Sequence, residues 1–306
     1  MSKNLNFFLT ALVATIFLGW GINVSQENLE DFFYAQISQP FVEISLVKIP
    51  PKSQKPKPEL QLESALSVKI NKFGKQRVVF RKDAVRSLPI ASLTKLMTGL
   101  IILENTPQDD FNFSRAITIS KEAANQNDVP VYGNLKQGEV FTVKKLLRLM
   151  LAYSSNDAAF ALSDIVDNKG FIERMNQKAK DLGLENTYFV NSSGLDPQDP
   201  KQIPNYSTSQ DLMTLAKYIL EKYPLIFELS LSQEPYPTQN GLSDLSLPEE
   251  QRFIGGKTGY TEKAGGCMLS IIQDEEQNHF ISVILGTDSP IDRVKEMQKL
   301  IDWLNT

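Results

Sequence analysis

The sequence predicts an α+β fold: an antiparallel sheet flanked by helices, with a helical subdomain and an N-terminal transmembrane helix ahead of them. Three observations lead there. Strand-like runs cluster at both ends of the region from residue 60 onward, helical periodicity fills the middle, and a long uncharged apolar stretch opens the chain. Strands at both ends of one region are most simply assembled into one sheet, with helices on its faces and a helical subdomain from the middle. No internal repeat interrupts this order.

The opening stretch comes first. Between Lys3 and Glu27 there is no charged residue, and residues 5–24 are mainly apolar. That length is near the roughly 20 residues a spanning helix needs. Lys3 precedes it, and Glu27, Glu30 and Asp31 follow, so the positive-inside rule puts the amino end in the cytoplasm and the rest outside. The alternative is a cleaved signal peptide, but the stretch is long and Gly19-Trp20-Gly21 is a poor cleavage site. Residues 1–26 therefore read as a single-pass anchor in the cell membrane or a signal peptide. Residues 27–59 read as a juxtamembrane segment and linker. Residues 27–49 show no clear period, and Pro50-Pro51-Lys52-Ser53-Gln54-Lys55-Pro56-Lys57-Pro58 favours an extended tether. A folded domain is expected over residues 60–306.

Within it, residues 64–70 and 76–81 alternate around Gly74 and read as a hairpin. Residues 92–103 place Leu96, Met97, Leu100 and Leu103 at helical spacing. Thr142 is a candidate N-cap for a helix through Leu151, with Val143, Leu146, Leu147 and Met150 on one face. Helical patterns also cover residues 170–182 and 209–220. Residues 265–273 and 279–285 are apolar strands joined by the polar loop Asp274-Glu275-Glu276-Gln277-Asn278, and residues 293–304 form a closing amphipathic helix.

Composition narrows the chemistry. The 306 residues are 42% hydrophobic and 22% charged, with a formal net charge of −4. That balance has no global attraction for nucleic acid, and no basic stripe or nucleic-acid motif is present. One cysteine, Cys267, permits no intrachain disulfide and no multi-cysteine metal site. One histidine, His279, argues against a His/carboxylate zinc cluster, and against a Ser-His-Asp triad unless it reaches the nucleophile. Their simplest readings are a buried core thiol and a surface residue near a turn.

Three short elements carry candidate chemistry. In Ser92-Leu93-Thr94-Lys95, positions i and i+3 share a helix face, so hydroxyl and amine can meet. A serine hydroxyl needs an adjacent base, and a lysine serves only when its pKa falls from about 10.4 towards neutrality. That fall corresponds to roughly 4 kcal/mol, which demands a dry site and a second cation. The plainer reading is a helix N-cap with an exposed first-turn lysine. Ser154-Ser155-Asn156 is either a turn with a new helix cap or a hydroxyl and carboxamide on one short loop, able to relay a proton and hold an amide. Lys257-Thr258-Gly259, after Gly255-Gly256 and before Tyr260, is either a glycine-rich hairpin or a strand edge that a substrate backbone can approach. There Lys257 could supply the second cation and Thr258 could hydrogen-bond a carboxylate.

Order and spacing join the three. Ser-x-x-Lys, Ser-x-Asn and Lys-Thr-Gly occur together in penicillin-binding proteins and class A β-lactamases. Pro89-Ile90-Ala91-Ser92-Leu93-Thr94-Lys95-Leu96-Met97-Thr98 resembles the active-site segment of the D-alanyl-D-alanine carboxypeptidases, the low-molecular-mass penicillin-binding proteins. Ser154-Ser155-Asn156-Asp157-Ala158-Ala159 and Gly256-Lys257-Thr258-Gly259-Tyr260-Thr261-Glu262-Lys263-Ala264-Gly265 are similar to two further segments of that family. Asn191-Ser192-Ser193-Gly194-Leu195 and Tyr206-Ser207-Thr208-Ser209-Gln210-Asp211-Leu212 fall where the family has similar sequence. The resemblance runs from about residue 62 to the last residue.

The resemblance implies a DD-peptidase and β-lactamase-like fold and a set of roles. Ser92 is the nucleophile that attacks the carbonyl of the penultimate D-alanine, and Lys95 takes its proton. The backbone N–H groups of Ser92 and Tyr260 bind the oxyanion. Ser154 passes a proton to the leaving D-alanine, with Lys257 holding its hydroxyl. Asn156 binds the substrate amide, and Thr258, beside Gly259, the terminal carboxylate. Arg293 is a further candidate for that carboxylate, or else a solvated charge. The implied partners are peptidoglycan stem peptides ending in D-Ala-D-Ala, β-lactams as acylating inhibitors, and the membrane through the N-terminal helix. No metal or organic cofactor is implied.

Some features depart from the family pattern. Residues 239–250 lack the expected asparagine-rich segment, and Ser155 stands where a glycine is common. Many relatives continue beyond the last helix into a β-rich domain and a C-terminal anchor; this chain is expected to use its N-terminal helix instead. A class A β-lactamase should show Glu-x-x-x-Asn near residues 187–191, where Tyr188, Phe189 and Val190 stand. A transpeptidase or endopeptidase shares all three elements and remains the alternative. A non-catalytic peptidoglycan-binding module is the reading that loss of Ser92, Lys95 or Lys257 would have favoured.

Overall fold

The computed structural model describes residues 56–105, 113–126, 134–166, 168–231 and 242–306. The expected spanning helix over residues 5–24, the segment 27–49 and most of the Pro/Lys-rich linker lie outside them. Among the described residues no helix is long and apolar enough to cross a membrane. Lys57–Thr306 forms one compact unit.

The first hairpin pairs β1 (Ser64–Ile70) with β2 (Gln76–Lys82). Its turn closes because the Asn71 side-chain oxygen accepts from the backbone N–H groups of Phe73 and Lys75, and Gly74 takes φ +79°. After a short strand β3 (Leu88–Pro89), a 3-10 turn at Ala91–Leu93 leads into α1 (Thr94–Asn105). Ser92 therefore sits in the turn just before the α-helix rather than inside it. β4 (Ala116–Thr118) pairs with β5 (Val140–Thr142), and α2 (Val143–Ala152) follows with the Thr142 hydroxyl accepting from Lys145 N. That cap is the one the sequence proposes. α3 (Asn156–Asp164) and α4 (Asn168–Asp181) complete the helical part. A strand β6 (Tyr206–Ser207) pairs with β3, and α5 (Ser209–Lys222) and the short α6 (Leu225–Ser230) lead to the last strands. These are β7 (Gln251–Thr261), β8 (Gly265–Asp274) and β9 (His279–Thr287), followed by α7 (Pro290–Asn305).

The main sheet is antiparallel with strand order β2-β1-β9-β8-β7, so both ends of the region contribute to it as expected. It is covered on both faces. Leu66, Val68, Leu269, Ile271, Ile281 and Val283 join the large core shared with α1, α2, α3 and α5. Ala65, Met268, Ile272 and Ile284 face the other way, onto Met297, Leu300 and Ile301 of α7. Burial on both faces is why β8 and β9 read as apolar runs, interrupted only by Ser270 and Ser282, rather than as alternation. Each of these large side chains contributes roughly 1.5–3 kcal/mol by leaving water.

This architecture leaves β7 at a sheet edge beside the helical part. The first half of that edge is covered by α6. A Cβ on Gly255 would lie 2.3 Å from Phe227 Cβ, and the Gly256 N–H donates to the Ser230 hydroxyl at 3.1 Å. Gly255 lets α6 seat against the strand, while a Cβ on Gly256 would meet the Leu269 carbonyl oxygen of β8 at 2.4 Å.

Candidate active site

The nucleophile candidate is held by tight backbone contacts. Ala91, directly before Ser92, has φ +45°, a conformation L-residues seldom adopt. Gly194, at φ +87°, comes so close to this turn that an added Cβ would lie 2.0 Å from the Ala91 carbonyl oxygen. On the other side, a Cβ on Gly259 of β7 would lie 2.8 Å from the Ser92 nitrogen. The Ser92 turn is thus clamped between the 191–195 loop and the edge strand. Ser92 itself is half-buried.

Lys95 lies one turn on and is fully buried. Its Nζ is 2.9 Å from Ser92 Oγ, 2.6 Å from Asn156 Oδ1 and 2.6 Å from the Ser193 carbonyl oxygen. It is therefore not an exposed first-turn lysine. A neutral amine donates two N–H bonds and keeps a lone pair. Nζ donates in all three contacts; on losing a proton it could keep Asn156 Oδ1 and Ser193 O as acceptors and turn its lone pair to the Ser92 hydroxyl.

A second pair repeats the pattern. Lys257 is also fully buried, and its Nζ donates to Ser154 Oγ at 2.9 Å and to the Thr258 carbonyl at 2.8 Å. Ser154 follows the C-cap of α2 and has φ +63°, a place where glycine usually stands. Ser155 then caps α3, its hydroxyl accepting from Ala158 N at 3.0 Å. At φ −53° position 155 needs no glycine, and the serine supplies the cap. Both readings of Ser154-Ser155-Asn156 therefore hold together: Ser155 is the helix cap, while Ser154 and Asn156 face the lysines.

Burial holds the Lys257 ammonium well below the usual lysine range, and the Lys95 and Arg293 charges push it the same way. Between that lowered value and about 10.4, the unfolded chain binds a proton here that the native protein does not. Stability therefore rises with pH across that window, by up to about 1.4 kcal/mol per pH unit. The unfolding free energy of wild type relative to Lys257→Met, measured in denaturant, is expected to shift in favour of wild type from pH 8 to pH 10. A constant difference would mean that Lys257 is charged inside the fold.

Of the remaining candidates, Thr258 is buried and Tyr260 is exposed by its side chain. Arg293, in the first turn of α7, is mostly buried and its Nη1 donates to the Gly259 carbonyl at 2.8 Å, so it is not a solvated charge. Cys267 is a core thiol that burial pushes up to about 11, and His279 starts β9 against Gln273. Tyr188 pairs with Tyr206 where a β-lactamase would place its glutamate loop.

The arrangement is two half-buried hydroxyls, each bonded to a buried lysine, beside a strand edge that pairs with no further strand among the described residues. The family model for D-alanyl-D-alanine carboxypeptidase matches residues 52–289 of this chain. The chain belongs to that family. D-alanyl-D-alanine carboxypeptidase DacF of Bacillus subtilis is 31% identical over 236 residues, 74% of this chain and 58% of that protein. A D-alanyl-D-alanine endopeptidase of Haemophilus influenzae is 33% identical over 231 residues, 72% of this chain and 74% of the relative. Among solved structures, penicillin-binding protein D2 of Listeria monocytogenes in a cefotaxime-bound form is similar at TM-score 0.67 and 26% identity. That match covers 82% of this chain and 100% of the other. The chain spans little more than half the length of the first carboxypeptidases it matches.

Around this D-alanyl-D-alanine carboxypeptidase family site stand residues to which the motifs assign no role. Asn191 Oδ1 accepts from Gly194 N at 2.7 Å and so shapes the loop that presents the Ser193 carbonyl to Lys95. Asn205 is buried; its Oδ1 accepts from Val190 N, and its Nδ2 donates to Thr94 Oγ1 at 2.9 Å. Asp157 accepts from the N–H groups of Gln126 and Leu135. Asn-Ser-Ser-Gly is turn chemistry that sequence can flag. Nothing around Asn205 marks it as the link between that loop and α1.

Proposed function

We propose that this chain is a serine-type D-Ala-D-Ala carboxypeptidase that removes the terminal D-alanine from peptidoglycan stem peptides through a Ser92 acyl-enzyme. The observation that carries the reading is the pair of half-exposed hydroxyls, Ser92 and Ser154, bonded to the buried Lys95 and Lys257. Substrate lies along the free part of the β7 edge, with Asn156 on its amide and Thr258 on its terminal carboxylate. Ser92 Oγ bonds to the carbonyl carbon of the penultimate D-alanine as its proton passes to Lys95 Nζ. The oxyanion is met by the Ser92 and Tyr260 N–H groups; each such donor contributes about 3 kcal/mol. The C–N bond then breaks, and the leaving D-alanine amine takes a proton through Ser154, whose hydroxyl Lys257 orients. A water repeats the cycle on the acyl-enzyme and frees Ser92. β-Lactams enter the same site as acylating inhibitors.

The apolar residues 5–24 and the charges around them support a single-pass anchor in the cell membrane, with the catalytic domain outside the cytoplasm. The linker composition supports a tether between the two.

A second reading, an endopeptidase that cuts cross-links with the same groups, is favoured by the 74% span of the Haemophilus influenzae relative. The test uses the full chain in detergent micelles. Benzylpenicillin is expected to add its own mass to the protein, mapped to the peptide containing Ser92, and a stem pentapeptide is expected to lose D-alanine. Release from a cross-linked dimer alone would select the endopeptidase. A folded chain with neither adduct nor product would leave a binding module.

A further inference from the structure

Arg293 takes an unusual course for a residue on a surface helix. Its helix packs on β8 and β9, yet its guanidinium reaches β7. Gly266 of β8 makes room: a Cβ there would lie 3.0 Å from Arg293 Cβ. Gly266 is the residue paired with Tyr260. The guanidinium is therefore led past β8 to the peptide between Gly259 and Tyr260, where Nη1 donates to the Gly259 oxygen at 2.8 Å. Its Nε is buried with no hydrogen-bond partner among the described residues. A buried cation with one donor unmet is a poor choice for packing alone.

The peptide it touches joins two parts of the site. In a trans peptide the C=O and the following N–H point in opposite directions. The Gly259 oxygen faces Arg293 from the β8 side, so the Tyr260 N–H faces out from the free edge of β7. Ser92 lies against the same stretch of β7, its nitrogen 2.8 Å from where a Gly259 Cβ would stand. We propose that Arg293 is a positioning residue that aims and polarises the Gly259–Tyr260 peptide, making the Tyr260 N–H a stronger donor to the oxyanion formed at Ser92. A cation on a carbonyl oxygen draws electron density towards it and leaves the N–H of the same peptide more positive. The charge is fixed before the reaction, so it needs no reorganisation when the oxyanion appears. This role differs from contact with a substrate carboxylate, because the effect passes through the backbone of β7. It rests on the acyl-transfer reading above.

The experiment compares the full chain with Arg293→Gln and Arg293→Lys. Acylation rate constant and non-covalent affinity are separated for two acyl donors, benzylpenicillin and a phenylacetyl thioester without a carboxylate. Affinity for an arylboronic acid, whose tetrahedral adduct presents an oxyanion, is measured alongside. Arg293→Gln is expected to lower the acylation rate constant about 10- to 30-fold for both donors, a fraction of what losing a whole donor causes. Boronate affinity should fall by a similar factor, non-covalent affinity should stay within about twofold, and Arg293→Lys should recover part of the loss. A loss confined to the carboxylate-bearing donor, or confined to non-covalent affinity, would overturn the proposal, as would unchanged rates. Should Arg293→Gln fail to unfold cooperatively, the Arg293→Lys rates alone decide by the same comparison between donors. Wild type that is acylated while the variants are not slowed leaves acyl transfer standing and removes only this role. Wild type that is not acylated removes both.

Discussion

Lys95→Met is expected to slow acylation of Ser92 by benzylpenicillin by a thousandfold to ten-thousandfold, the upper part of the range for a lost general base. Methionine matches the length and apolar stem of lysine, so the buried space that Lys95 occupies stays filled. What disappears is the group 2.9 Å from Ser92 Oγ. Asn156 Oδ1 and the Ser193 carbonyl lose a donor as well. Neither of those can accept the serine proton in its place at neutral pH. Stopped-flow acylation with wild type and variant at matched concentrations gives the ratio, and thermal unfolding checks that the fold survives. A loss below about tenfold would point to the Ser154–Lys257 pair as the base for acylation and would move Lys95 to a structural role.

Gly259→Ala should cost about a hundredfold to a thousandfold in the same assay, the range seen when one oxyanion donor is removed. The backbone of Gly259 does not need a glycine conformation, since its φ is not positive. Its need is room. The added methyl would lie 2.8 Å from Ser92 N, 3.0 Å from Ala91 Cβ and 3.1 Å from Ile90 O. Two of these neighbours are backbone, in a turn already clamped from behind by Gly194. If the edge strand is the part that yields, its retreat carries the Tyr260 N–H away from Ser92. Binding of the boronate adduct should weaken in parallel. Near wild-type acylation with an intact thermal transition would show that the turn yields instead of the strand.

How far the sequence anticipates this site depends on what each residue interacts with. The Thr142 cap, the Gly74 hairpin and the helix over residues 209–222 follow from local chemistry, and local chemistry is written in neighbouring letters. The three motifs bring Ser92, Lys95, Ser154, Asn156 and Lys257 together because each motif fixes a short rigid segment. Asn205 and the Ser193 carbonyl escape such reasoning. One is a lone polar residue whose partners lie far along the chain, and the other is a backbone atom that every residue possesses. Arg293 sits between these cases. Its position on a helix is legible, but its burial depends on Gly266, a residue whose only contribution is a missing side chain.

The strand order has a bearing on when the candidate site is complete. β1 lies between β2 and β9, with Ser64 opposite Leu285, so the sheet closes only across nearly the whole folded region. Closing so long a loop is slow, because its entropy is spent before the contacts that reward it can form. A chain made from its amino end presents Ser92 and Lys95 early, while Lys257, Gly259 and Tyr260 arrive with the last strands. Until then Ser92 has no edge strand beside it and no second lysine near it. Completion of the site is thereby timed to the end of folding.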